Sequence, residues 1–173
     1  TYDYGRFDDL VVHVHGPGAP LPADPAVVGY GPGGFARGVA AASQGQAVRL
    51  ENRTDRPIVF FGVDEASGES CEDWPEVAPG GAATWTARGP GTVLVYGAGD
   101  DSAEAILHVG PPGIAAVLGS GESLALGALP PGRYQVEGWH RILPAGRQEV
   151  EVAAGRWADV EILFSTDTLA GSR

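Results

Sequence analysis

The sequence contains no lysine and no methionine, and its 11 basic residues are all arginine. Together with the many alanine, glycine and proline residues, this bias is typical of GC-rich coding and favours a bacterial source. Cys71 is the only cysteine. It excludes an intramolecular disulfide and any cysteine-rich zinc or iron–sulfur site.

Long hydrophobic runs are absent as well. None approaches the roughly 18 residues that a membrane helix needs, so we expect no membrane insertion. The chain begins at Thr1 without the hydrophobic core of a signal peptide. We interpret it as a mature, soluble chain that is exported to the periplasm or the cell exterior.

Positive charge is scarce. The 22 acidic residues outnumber the 11 basic ones and give a formal net charge of −11. This balance disfavours nucleic acid and anionic membranes as partners. A basic partner protein or a cation is the better expectation.

Helical patterns are nearly absent, whereas short β-branched or alternating runs recur between glycine and proline breaks. The sequence shows no βαβ alternation, so a nucleotide-binding fold has no support. Only Phe35–Ser43 carries enough alanine to predict a short helical turn. The pattern predicts an all-β protein with strands at Leu10–His15, Gln46–Asn52, Ile58–Val63, Ala82–Thr86, Thr92–Tyr96, Ala105–Val109, Ile114–Leu118, Ser123–Leu126, Arg133–Trp139, Gln148–Val152 and Trp157–Phe164.

The run Gly110–Gly113 consists only of glycine and proline and follows a predicted strand. Such a break is typical of a boundary between modules. We therefore expect a first domain over residues 1–111, a second over residues 112–168, and a tail over residues 169–173.

Three segments of the first module carry a shared pattern: Val11–Val14, Gly45–Asp55 with its Gly-x-x-Val-x-x-x-Asn spacing, and Pro79–Val93 with two Pro-Gly turns. They resemble the plastocyanin-like (cupredoxin) proteins of the methylamine-utilisation-like type. In the second module, Leu129–His140 reads Pro-Pro-Gly-x-Tyr-x-Val-x-x-Trp-His. This run resembles the transthyretin-like, carboxypeptidase-regulatory-like module that is fused behind such cupredoxins. The resemblance implies a cupredoxin-like Greek-key sandwich followed by a smaller transthyretin-like β-sandwich.

The resemblance also implies where copper would bind. The family's type 1 site takes a thiolate and two imidazoles, the ligands that select copper, together with a methionine. In this sequence those positions fall on Ile58, Gly97, Asp100 and Ala103. We therefore expect a cupredoxin scaffold that has lost its copper ligands and holds no cofactor.

His13 and His15 are two residues apart on one predicted strand, so their side chains share a face. Zinc and copper sites use this spacing, but a third ligand would have to come from His108, His140 or a carboxylate across the sheet. We interpret the two as ordinary surface or interface histidines, with a metal site as the alternative.

Segment 64–76 combines many carboxylates with the lone thiol and a tryptophan. Its field favours a basic partner, such as a c-type cytochrome or a subunit of a membrane complex. An exposed tryptophan there would serve as an interface anchor, whereas a solvated loop that keeps the protein soluble is the plain alternative. The predicted partner-binding residues are Asp64, Glu65, Glu69, Glu72, Asp73 and Trp74.

The Gly-x-Ser-x-Gly motif of serine hydrolases does not occur, and the resemblance offers no catalytic site. We therefore expect that the protein is not an enzyme. The leading hypothesis is a non-catalytic, exported accessory or scaffold subunit that binds another protein in a periplasmic or extracellular electron-transfer or surface assembly. One alternative is a copper-handling or electron-transfer protein with an atypical histidine site. Another is a carbohydrate-binding module that uses Trp74, Trp85 or Trp157 as a stacking platform.

Overall fold

The computed structural model describes residues 9–98, 104–119 and 121–164. These residues form β-strands and no helix, so they contain no helix that could cross a membrane. The predicted all-β class is confirmed. The strands are β1 (Leu10–His15), β2 (Ala26–Gly31), β3 (Gly34–Phe35), β4 (Val39–Ser43), β5 (Ala47–Asn52), β6 (Phe60–Asp64), β7 (Ser70–Asp73), β8 (Ala82–Thr86), β9 (Gly91–Gly97), β10 (Glu104–Gly110), β11 (Ile114–Leu118), β12 (Gly132–Trp139) and β13 (Gly146–Val152).

The strands form three sheets. Sheet I has the order β3-β2-β5-β8, sheet II the order β4-β10-β9-β6-β7, and sheet III the order β11-β1-β12-β13. The pairs β2–β5 and β4–β10 are parallel, and the other ladders are antiparallel.

Sheet II is the middle layer. Successive residues of a strand point to opposite faces, and β10 is buried on both. Leu107 and Val109 belong to the core that Leu50 of sheet I also lines. Ile106 packs with Val11 of sheet III in a second, smaller core. Sheets I and III therefore cover opposite faces of sheet II.

Strand β1 pairs with two strands that lie beyond the boundary expected after residue 111. Val11 pairs with Val117 of β11 on one side and with Trp139 of β12 on the other. The expected division assigned β1 to the first module, whereas its ladders are made with strands of the second. Alternation along β1 indicates which side chains are buried, but it carries no information about which strands lie beside it.

The helical turn predicted for Phe35–Ser43 is wrong, because Val39–Ser43 is strand β4 and runs parallel to β10. Its alanines fit between packed layers: Ala42 is buried toward sheet I, and Ala41 packs toward sheet III. Tertiary packing therefore overrides the helix propensity of alanine at this position.

Two segments predicted as strands, Ser123–Leu126 and Trp157–Phe164, form no ladder with any residue that the structure describes. They cover the outer face of sheet III instead. Leu126 and Ile162 pack there against a buried cluster that includes Tyr134 of β12.

Candidate functional site

The predicted acidic segment forms a β-hairpin at the open edge of sheet II. Strands β6 and β7 pair antiparallel, and β7 is the last strand of the sheet. Asp64 organises the turn, since its Oδ1 accepts hydrogen bonds from the backbone N–H of Ser67 at 2.8 Å and from its hydroxyl at 2.9 Å. These bonds favour the ionised carboxylate and lower the pKa of Asp64 from its usual value. Asp64 therefore has a structural role in the hairpin.

Most other carboxylates of the hairpin face solvent. Glu65, Glu69 and Asp73 are exposed. Within the described ranges, none of the three forms an ion pair. Glu72 is half-buried and lies 3.7 Å from the guanidinium of Arg88. The hairpin thus presents concentrated negative charge that the described residues do not neutralise.

Cys71 lies in the middle of the edge strand β7 and is exposed. Partial desolvation, followed by the charges of Glu72 and Asp64, raises the pKa of its thiol. The raised pKa keeps the sulfur protonated at neutral pH, which makes it a weak nucleophile and a weak metal ligand.

The prediction that Trp74 is an exposed interface anchor is wrong. The residue is only 6% exposed, and its ring lies 4.4 Å from that of Trp85 in the core between sheets I and II. The ring occupies the space beside Gly62, where a Cβ would lie 3.0 Å from it. Its acidic sequence neighbours face solvent while Trp74 turns inward, so the composition of the segment was a misleading guide to its exposure.

Two aromatic residues beside the hairpin were missed by the sequence analysis. Phe61 of β6 and Tyr96 of β9 lie directly opposite each other, with ring centroids 5.3 Å apart and ring planes inclined by 22°. Both are half-buried and face away from sheet I, because Phe60 and Val95 occupy the inward positions. The alternation of the two predicted strands could have indicated this outward placement.

The two histidines of the predicted alternative metal site lie in different environments. His13 is 1% exposed, and its Nε2 lies 2.9 Å from Nδ1 of His108. His15 is half-buried, with Nε2 at 3.3 Å from a carboxylate oxygen of Glu137 but without the alignment of a hydrogen bond. In the part of the chain that the structure describes, no group of three or more histidine, cysteine, aspartate or glutamate side chains could hold a metal ion.

Burial keeps the imidazoles of His13 and His108 uncharged at neutral pH. Desolvation is the largest cause that lowers the pKa of each to about 4. For His13 the neighbouring His108 acts in the same direction, whereas Glu137 acts in the opposite one. The ring of Trp139 lies 4.4 Å from that of His108. The pair is thus a neutral, hydrogen-bonded link between sheets II and III.

Two of the four positions assigned to copper ligands by resemblance lie among the described residues. Ile58 is buried, and a Cβ on Gly97 would lie 3.5 Å from Cγ2 of Ile58 and 3.3 Å from the ring of Tyr30. The two positions are therefore neighbours, as a shared site requires. Asp100 and Ala103 lie outside the described residues, so the loss of the copper ligands stays a prediction.

The tryptophans proposed as a sugar-stacking platform do not form one surface. Trp74 is buried, Trp85 is half-buried against it, and only Trp157 of the three is largely exposed, at 84%. The carbohydrate hypothesis is left with a single exposed ring from this set.

Several solved structures of copper proteins are similar to the chain over about half of its length. The purple cupredoxin from Nitrosopumilus maritimus has 14% sequence identity and a TM-score of 0.44, covering 49% of this chain and 98% of that one. A mutant of amicyanin with Cu(I) has 19% identity and a TM-score of 0.44, covering 57% and 97%. The Cu-containing nitrite reductase from Thermus scotoductus SA-01 has 18% identity and a TM-score of 0.46, covering 53% and 24%.

No family model and no curated protein matches the chain. At the identities and TM-scores above, the likeness concerns the arrangement of strands and carries no functional argument. Function is therefore argued from the residues of this chain.

Proposed function

We propose that the chain is a non-catalytic accessory or scaffold subunit that binds a protein with a basic surface through the β6–β7 hairpin. In this proposal the chain binds its partner in the periplasm or outside the cell, as part of an electron-transfer or surface assembly. The supporting observation is the set of exposed carboxylates Glu65, Glu69 and Asp73, which have no ion pair among the described residues.

The electrostatics favour docking through side chains rather than through strand addition. The net charge of −11 attracts a basic protein from a distance and raises the rate of encounter. The register of β6 with β7 shifts between Gly62 and Val63, which marks a bulge in the edge strand. A bulge and carboxylates on an edge hinder the pairing of a further strand. The hairpin therefore offers charge to a partner more readily than it offers backbone hydrogen bonds.

The test is to measure the binding of a basic c-type cytochrome and of a nona-arginine peptide by surface plasmon resonance over a series of salt concentrations. We expect both probes to bind at low ionic strength and to dissociate as salt screens the charges. The variant Glu65→Gln/Glu69→Gln should lower the affinity about two- to tenfold, as expected for two exposed charge pairs.

The matched control is Glu149→Gln/Glu151→Gln, which removes two exposed carboxylates from β13, an edge strand of sheet III. An equal loss of affinity in both variants would assign the effect to net charge and contradict a role for the hairpin. Failure of both probes to bind at low ionic strength would contradict the proposed function.

A further inference from the structure

Four side chains form a row across sheet II. The registers place Asp73 of β7 opposite Phe61 of β6, and Phe61 opposite Tyr96 of β9. Tyr96 in turn lies opposite Glu104 of β10. Residues that are directly opposite in antiparallel strands point to the same face and interact. The row therefore has a stacked aromatic pair in the middle and a carboxylate at each end.

One end of the row already holds an arginine of this chain. The hydroxyl of Tyr96 donates a hydrogen bond of 2.7 Å to Oε2 of Glu104, and the guanidinium of Arg141 lies 2.8 Å from Oε1 of the same carboxylate. The bond to Glu104 raises the pKa of Tyr96, which keeps its hydroxyl a donor. Here a carboxylate, an aromatic ring and a guanidinium occupy one small surface.

The other end has the carboxylate and the ring, and no described residue places a cation beside them. Asp73 is exposed and forms no ion pair with any described residue. Phe61 is half-buried and packs into none of the three buried clusters. The charge of Glu65 acts on Tyr96, so the negative field of the hairpin extends over this face. The surface is complementary to a positive side chain.

Arginine fits this surface better than lysine does. Its planar guanidinium stacks on aromatic rings and forms two parallel hydrogen bonds with a carboxylate. A lysine ammonium is a compact, strongly hydrated charge that gains less from an exposed ring.

We infer that an arginine side chain of the partner docks between Asp73 and the ring of Phe61, as Arg141 docks on Glu104 beside Tyr96. This inference rests on the proposed function and specifies the residue type by which the partner is recognised.

The test compares nona-arginine with nona-lysine, each titrated onto the whole chain at low ionic strength with fluorescence anisotropy as the readout. We expect nona-arginine to bind more tightly, and Phe61→Leu to reduce the ratio of the two affinities about three- to tenfold. Phe61→Tyr keeps a ring and should retain the ratio. Asp73→Asn should weaken nona-arginine about two- to fivefold, and Glu151→Gln on β13 should leave both peptides unchanged.

The outcomes separate this inference from the proposed function. An affinity ratio that is the same in the wild type and in Phe61→Leu overturns the inference, and the proposed function stands if Glu65→Gln/Glu69→Gln still weakens binding. If neither peptide binds, both the inference and the proposed function are overturned. If circular dichroism shows that Phe61→Leu is unfolded, Asp73→Asn decides, because its exposed side chain is not required for packing. An unchanged affinity of that variant for nona-arginine then overturns the inference.

Discussion

At the scale of single residues, the contact between sheets II and III depends on the missing side chain of Gly110. This glycine ends β10, and the imidazole of His13 packs directly against its backbone, so that an added Cβ would overlap the ring. His13 cannot move aside freely, since it is buried and its Nε2 is bonded to His108. The tight approach is what allows an imidazole pair to fit between two sheets.

We predict that Gly110→Ala lowers the free energy of unfolding by about 1–3 kcal/mol, because the new methyl group overpacks a closed interface. Urea unfolding at neutral pH measures the change. The matched control is Gly89→Ala, where an added Cβ meets no atom within 4 Å. The control should change stability by less than about 0.5 kcal/mol. Equal effects at the two glycines would mean that the overlap with His13 is relieved without cost.

At the scale of the element, segment 157–164 shows how an apparent strand can serve as a cover. Its alternating pattern is real: Ile162 packs inward while Leu163 is 75% exposed. Ile162 lies over Gly138 and Gly146, which are paired across β12 and β13, and its Cγ2 would be 2.9 Å and 2.6 Å from Cβ atoms added there. The two glycines make room for a side chain from another layer.

We predict that Ile162→Ala destabilises the protein by about 1–3 kcal/mol, since it removes apolar contacts from a partly buried site. The neighbouring Leu163→Ala is the control and should be nearly neutral, because its side chain faces solvent. Thermal unfolding followed by circular dichroism compares the two variants. A larger effect of Leu163→Ala would contradict the packing direction of the whole segment.

The elements that the sequence predicted well have clear alternation or β-branched runs. Strands β1, β8 and β11 have the predicted bounds. Strand β4 was missed because its alanines favour a helix and only the neighbouring sheets make it extended. Strand β7 was missed because Ser70–Asp73 is polar throughout, and a polar edge strand has no hydrophobic pattern to detect.

At the scale of the whole molecule, the candidate site also has a part that a sequence pattern predicts and a part that only tertiary packing defines. The acidic segment was predicted from composition, because a run of carboxylates is visible in the sequence whatever its fold. The row from Asp73 to Glu104 was not, because it joins four strands through registers that only the assembled sheet defines. The exposure of Trp74 was predicted wrongly for a related reason, since its packing partner Trp85 comes from another sheet.

The layers on the two sides of sheet II are held by different chemistry. The core toward sheet I is mainly apolar, with the buried amide of Asn52 donating to the backbone carbonyls of Arg56 and Val77, whereas the contact toward sheet III includes the imidazole pair of His13 and His108. His15 and Glu137 are the charged or titratable groups of sheet III that act on His13 from β1 and β12. This interface is therefore the part of the molecule that should respond first to mild acid.

The expected direction follows from the two states of the pair. In the unfolded chain each histidine has a pKa near 6.5, whereas burial lowers the folded values to about 4. Between these limits the unfolded chain binds protons that the folded pair excludes, so the free energy of unfolding falls as the pH falls from 6.5 toward 4. The dependence fades about one pH unit above 6.5, where the two groups are neutral in both states.

We predict a loss of about 3 kcal/mol between pH 6.5 and about pH 5, because each fully excluded proton contributes about 1.4 kcal/mol per pH unit, the unfolded chain binds two such protons, and each is only half bound at pH 6.5. Urea unfolding over this range measures it, in a window where most carboxylates stay ionised. His108→Gln should reduce the slope, because one of the two excluded protons is gone. His140→Gln is the control: burial also lowers the pKa of His140, but the residue lies outside the pair and its removal should change the slope less. An equal slope in the wild type and in His108→Gln would mean that the buried pair does not couple folding to protonation, and that acid acts on the protein elsewhere.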